Sequence, residues 1–119
     1  MDTERELDLF AGVAVTDLGR AVAWYDRLFG EVETFEPNEV ERVWTVAERR
    51  HVYVIVAPEH AGHALVTLYV GNLPAMVDAA ARRGIHAETE EDYGNGVHKM
   101  IYRDPDGNEI GLGGALAAE

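Results

Sequence analysis

The feature that most constrains this chain is an internal repeat. With an offset of 55 residues, Val13, Val15, Asp17, Leu18, Ala21 and Val22 fall over Leu68, Val70, Asn72, Leu73, Met76 and Val77. A strand end, a helix cap and an apolar helix stripe therefore coincide in the two halves, the signature of one structural unit used twice. Each half holds about 50 residues, too few for an independent core, so the two must pack as halves of one domain spanning residues 1–119.

Within the first unit, about residues 7–57, residues 7–15 are apolar-rich and β-branched toward their end, which reads as a strand. Thr16 or Asp17 caps a helix whose stripe is Leu18, Ala21, Val22, Tyr25, Leu28 and Phe29, at a 3.6-residue period, and Gly30 supplies the stop. Strand-like runs follow at 32–35, 43–47 and 52–57. The second unit, about 64–115, repeats the order. A strand is expected at 64–70, and then a helix capped by Asn72 with Pro74 in its first turn and Gly84 past its end. Strands are expected at 85–88, 97–103 and 109–112, with turns at Gly94-Asn95-Gly96 and Asp104-Pro105-Asp106-Gly107-Asn108. The fold class is α+β, two βαβββ modules forming a cupped mixed sheet.

Composition narrows the partners. Ten Lys and Arg against 22 Asp and Glu leave a net charge of −12, which repels phosphate backbones and anionic lipid, so neither nucleic acid nor a membrane is an expected partner. The absence of cysteine excludes disulfides, thiolate metal ligands and a cysteine nucleophile. The opening residues are charged, with no apolar run of signal or membrane length behind them, which suggests a cytoplasmic protein.

Two segments carry a family resemblance. Val13-Ala14-Val15-Thr16-Asp17-Leu18 with Ala23-Trp24-Tyr25-Asp26-Arg27-Leu28-Phe29-Gly30, and Arg103-Asp104-Pro105-Asp106-Gly107-Asn108-Glu109-Ile110, resemble the vicinal oxygen chelate superfamily. That superfamily includes glyoxalase I, extradiol dioxygenases, and fosfomycin- and bleomycin-resistance proteins. The resemblance covers nearly the whole chain and implies the doubled fold, a concave sheet pocket and a homodimer whose partner completes the pocket. It does not specify the reaction, because one fold hosts many chemistries.

In metal-dependent members a His on each first strand and a carboxylate on each last strand hold a divalent ion. Here the resemblance matches those positions to Phe10, Leu65, Ile55 and Gly111, none of which is an imidazole or a carboxylate. No metal or other cofactor is therefore expected. A displaced site of His51, His63 and Glu109 is the alternative reading.

Strand alternation assigns the pocket lining. Leu9, Val13, Val15, Val52, Val54, Val56, Val66, Leu68, Val70, Ile110 and Leu112 read as the face beneath the helices. Phe10, Tyr53, Ile55, Leu65, Thr67, Tyr69 and Gly111 then face the pocket, and Trp44, His98 and Lys99 are candidate lining or rim groups whose facing alternation leaves open. Such a lining suits a small, partly apolar or planar molecule, and the acidic charge favours a cationic one such as a bleomycin-type ligand. No Ser-His-Asp order and no phosphate-binding glycine loop is found, and no catalytic residue is assigned. The expected function is metal-independent binding of a small molecule. A lyase, isomerase or dioxygenase using displaced ligands, and a ligand-sensing or structural domain, are the alternatives.

Overall fold

A computed structural model describes residues 6–116. The first module runs β1 (Leu9–Val15), α1 (Leu18–Phe29), β2 (Glu33–Phe35), β3 (Glu41–Ala47) and β4 (Arg50–Val56). A 3-10 turn at Pro58–His60 leads to the second, β5 (Leu65–Tyr69), α2 (Leu73–Arg82), β6 (Thr89–Gly94), β7 (Val97–Arg103) and β8 (Glu109–Ala115). The eight strands divide into two four-stranded mixed sheets of the same topology, β1-β4-β3-β2 and β5-β8-β7-β6, with β1 parallel to β4 and β5 parallel to β8. The repeat is thus realised as two βαβββ modules.

Both helices begin as their caps require. The Asp17 carboxylate accepts from the Arg20 amide at 3.0 Å, and the side-chain oxygen of Asn72, 55 residues later, accepts from the Ala75 amide at 3.2 Å. Gly30 ends α1 at φ 76°, a conformation costly for any side chain. Across the modules, Arg83 donates from Nε to the Arg27 carbonyl and from Nη2 to the Leu28 carbonyl, placing a cation and two donors on the open end of α1.

One core serves both halves. Val13, Val15, Tyr25, Leu28, Trp44, Val52 and Val54 from the first join Leu73, Ala80, Tyr102, Ile110 and Leu112 from the second. The Asp104–Asn108 turn is a buried polar hub as well as a hairpin turn. Asn108 is wholly buried, accepts from the Ala64 amide, and donates to the Ala14 carbonyl and to Asp104. Asp104 also accepts the Tyr25 hydroxyl at 2.8 Å, and Asp106 accepts both the amide and the hydroxyl of Thr16. A motif of the second module thereby ties down β1 and α1 of the first.

Three expectations need correction. Residues 85–88 are not a strand. Ile85 turns inward to plug the core, and the strand lies at Thr89–Gly94, an edge exposed on both faces that shows no apolar alternation and is held by pairing with β7. Leu9 has the parity of the helix-facing residues but is 62% exposed, because α1 packs over β3 and β4 and does not reach the start of β1. The last strand runs on to Ala115, past the expected end at 112, because Gly113 and Gly114 continue the ladder with β7. None of the described helices is long and apolar enough to cross a membrane.

Candidate functional site

Each sheet turns one face to the helices and leaves the other uncovered. On the first sheet the uncovered face carries Phe10, Thr45, His51, Tyr53 and Ile55, and on the second Leu65, Thr67, Tyr69, Lys99, Glu109 and Gly111. Phe10, Leu65 and Tyr69 are 47%, 77% and 73% exposed, an apolar surface that monomers seldom leave open.

Register places these residues closely. Gly12 lies opposite Tyr53 on β4, and a side chain there would meet the Tyr53 ring at 2.6 Å, so glycine is what lets that ring lie across β1. Thr67, 55 residues after Gly12, lies opposite Gly111 on β8. The counterpart of Gly111 in the first module is therefore Tyr53, not Ile55, which pairs with Ala14. The space over Gly111 is taken by the stem of Lys99, whose Cε would be 2.5 Å from a Cβ at that position. Lys99 Nζ reaches Glu109 at 3.4 Å, and Arg103 meets the other Glu109 oxygen at 3.4 Å.

These contacts test the metal centre that the fold family implies. Its four positions hold two rings, a leucine and a glycine, and an ammonium stem covers the glycine, so this donor set does not fit a divalent ion. Nor is the displaced site assembled. His51 is engaged by Asp8 and Thr45 on the first sheet, Glu109 by two cations on the second, and His63 is exposed before β5. Among the described residues no three His, Asp or Glu side chains form a metal-binding group.

Two lining candidates lie elsewhere. Trp44 is fully buried under α1, donating from Nε1 to Asp26 at 2.8 Å with the rings of Tyr25 and Phe29 around it. A bulge between Thr45 and Ala47 gives it helix-face parity. His98 shares the face of Met100 and Tyr102, and its Nδ1 lies 2.7 Å from a Glu90 carboxylate oxygen. Lys99, by contrast, does stand on the uncovered face.

Where the edge strands β1 and β5 approach, a cavity of about 570 Å3 opens, lined by Leu9, Ala11, Val46, Arg50, His51 and Met76 among others. Of the lining expected from sequence only Thr67 and Tyr69 reach it. Beside it lies a cluster that sequence reading missed. His51 Nε2 is 2.7 Å from Asp8 Oδ2, its Nδ1 is 2.9 Å from the Thr45 hydroxyl, and Phe10 stacks on the imidazole at 4.2 Å. The residues stand in the order Asp, Thr, His along the chain, and only the β3–β4 register juxtaposes Thr45 with His51.

Comparison with known proteins agrees with this architecture. The sequence model of the Glyoxalase/Bleomycin resistance protein/Dioxygenase superfamily matches residues 7–112. A search of curated proteins found no match. Among solved structures, a glyoxalase/bleomycin resistance protein from Catenulispora acidiphila is 51% identical, with 92% of this chain and 99% of that one covered and a TM-score of 0.88. A lactoylglutathione lyase from Agrobacterium tumefaciens is 21% identical over 92% and 93% of the two chains (TM-score 0.72), and a fosfomycin resistance protein from Listeria monocytogenes 14% identical over 91% and 92% (TM-score 0.66). Likeness at these lower identities is one of fold.

Proposed function

From the premise that this chain belongs to the glyoxalase/bleomycin resistance protein/dioxygenase superfamily, we propose that it is a metal-independent binder of a small, partly apolar molecule. In this reading it works as a cytoplasmic homodimer. The observation that carries the proposal is the replacement of the metal-ligand set by Phe10, Tyr53, Leu65 and a glycine roofed by Lys99, on sheet faces left uncovered by the chain's own helices. Rings and aliphatic groups bind through burial and stacking, and they offer a divalent ion little. A second copy covering Leu65 and Tyr69 would close this open surface into a pocket.

Light scattering and metal analysis of the purified protein test the two parts. The expected result is a dimer without stoichiometric metal, whose melting temperature is unchanged by a chelator. Leu65→Arg is expected to shift it toward monomer. Retention of one Zn, Ni, Mn or Fe per chain through dialysis, with a loss of several degrees on chelation, would instead support a lyase, isomerase or dioxygenase. With a ligand found by thermal-shift screening of aromatic and cationic compounds, Tyr53→Ala or Tyr69→Ala should cost about 1 to 3 kcal/mol of affinity. Unchanged binding by both folded variants would refute the pocket assignment.

A further inference from the structure

The Asp8–His51–Thr45 cluster has the connectivity of an acyl-transfer relay. A carboxylate can only accept, so the hydrogen of a neutral His51 sits on Nε2 and points at Asp8. Nδ1 is then a bare acceptor, and the Thr45 hydroxyl donates to it at 2.9 Å. That is the polarity in which an acid holds the imidazole, the imidazole acts as base, and the hydroxyl becomes the nucleophile; such relays are recognised by geometry and not by sequence order. The imidazole is well fixed, with its side chain only 9% exposed and one ring face covered by Phe10.

The surroundings supply a place for a substrate. His51 lines the seam cavity, as do Val46 and Ala47, the two residues that follow Thr45. Leu9, Ala11, Val66, Leu68 and Met76 make its wall apolar, which suits an acyl chain. Arg50 lines the same cavity, and among the described residues no carboxylate lies within ion-pair distance of it. Its guanidinium is the available cation for charge that develops on a carbonyl oxygen.

We propose that this cluster, which shares the uncovered face of the first sheet and the seam cavity with residues of the proposed ligand site, hydrolyses small esters of apolar carboxylic acids. Thr45 Oγ attacks the ester carbonyl carbon as its proton passes to His51 Nδ1. The tetrahedral adduct collapses with cleavage of the carbon–oxygen bond to the alcohol, which leaves with that proton. Water then attacks the acyl-threonine, giving one proton to Nδ1, and the acid departs as Thr45 Oγ recovers the proton. No oxidant or other co-reactant is needed.

The test uses the purified full chain and p-nitrophenyl butyrate, followed by absorbance, with acid-quenched samples read by intact and peptide mass. The expected results are an adduct of one butyryl group on the peptide containing Thr45, retention of turnover in Thr45→Ser, and a fall in kcat/KM of about 100-fold or more in Thr45→Val and His51→Gln. Asp8→Asn should lose about tenfold or more, and His86→Gln, an exposed histidine outside the cluster, should match the parent. Turnover by Thr45→Val at the parental rate would overturn the proposal, as would butyryl groups only at other residues or an equal fall in His86→Gln. Should Thr45→Val fail to fold, the position of the adduct and the Thr45→Ser rate decide. Because Tyr69 lines the same cavity, the metal-independent reading is judged separately, by metal analysis and the effect of a chelator on the melting temperature, which none of these outcomes changes.

Discussion

Asn108→Ala should weaken the junction between the two modules. The side chain is wholly buried and makes three hydrogen bonds at 2.9 Å, accepting from the Ala64 amide and donating to the Ala14 carbonyl and to Asp104 Oδ2. Truncation to a methyl takes this partner from a part-buried amide and a part-buried carbonyl and removes one donor from a buried carboxylate. At about 1 to 3 kcal/mol per orphaned group, and with allowance for the Tyr25 hydroxyl still bonded to Asp104, the loss should be about 3 to 5 kcal/mol. That is a large part of the total for a domain of this size, of order 5 to 15 kcal/mol. With an unfolding entropy of about 2.1 cal/mol/K per residue over 119 residues, the melting temperature should fall by about 12 to 20 °C. Trp24 and Trp44 are both buried, so urea denaturation followed by tryptophan fluorescence reports the core directly. A loss below about 1 kcal/mol, no more than that of an ordinary surface substitution such as His86→Ala, would refute the view that this turn joins the modules.

Other consequences can be checked in the same assay. Burial, and after it the charge of Asp104, pushes the Tyr25 hydroxyl well above the ordinary tyrosine range, and burial also raises Tyr102. The unfolded chain then loses these protons first, so the stability they contribute is complete below about pH 10 and declines as pH rises beyond it; Tyr25→Phe should flatten that decline, and an unchanged slope would contradict it. Gly114→Ala would place a Cβ 2.7 Å from the Val70 carbonyl oxygen, a backbone atom that cannot swing aside, and should cost about 1 to 3 kcal/mol in urea denaturation. Trp44→Phe should destabilise by about 1 to 3 kcal/mol through the lost Asp26 bond and core volume, while leaving ligand affinity unchanged, since Trp44 lies under α1 and not in the site.

The repeat, both caps, the helix stripes and the facing of Tyr53, Leu65, Thr67 and Tyr69 were legible in the linear chain because they depend on local periodicity: 3.6 for a helix, 2 for a strand, and side chains that bond three residues ahead. The absence of metal-ligand side chains at Phe10, Leu65 and Gly111 was legible for the same reason, being a question of identity at a spacing. What escaped depends on register and on contacts between distant segments. The bulge after Thr45 turned Trp44 inward, and the polar edge strand β6 has no apolar pattern because pairing alone creates it. The Asp8–His51–Thr45 cluster and the Asn108 hub join residues 43 and 94 positions apart, where no periodicity operates. Only the packed fold, which chooses one register among several of equal local pattern, brings those atoms within bonding distance.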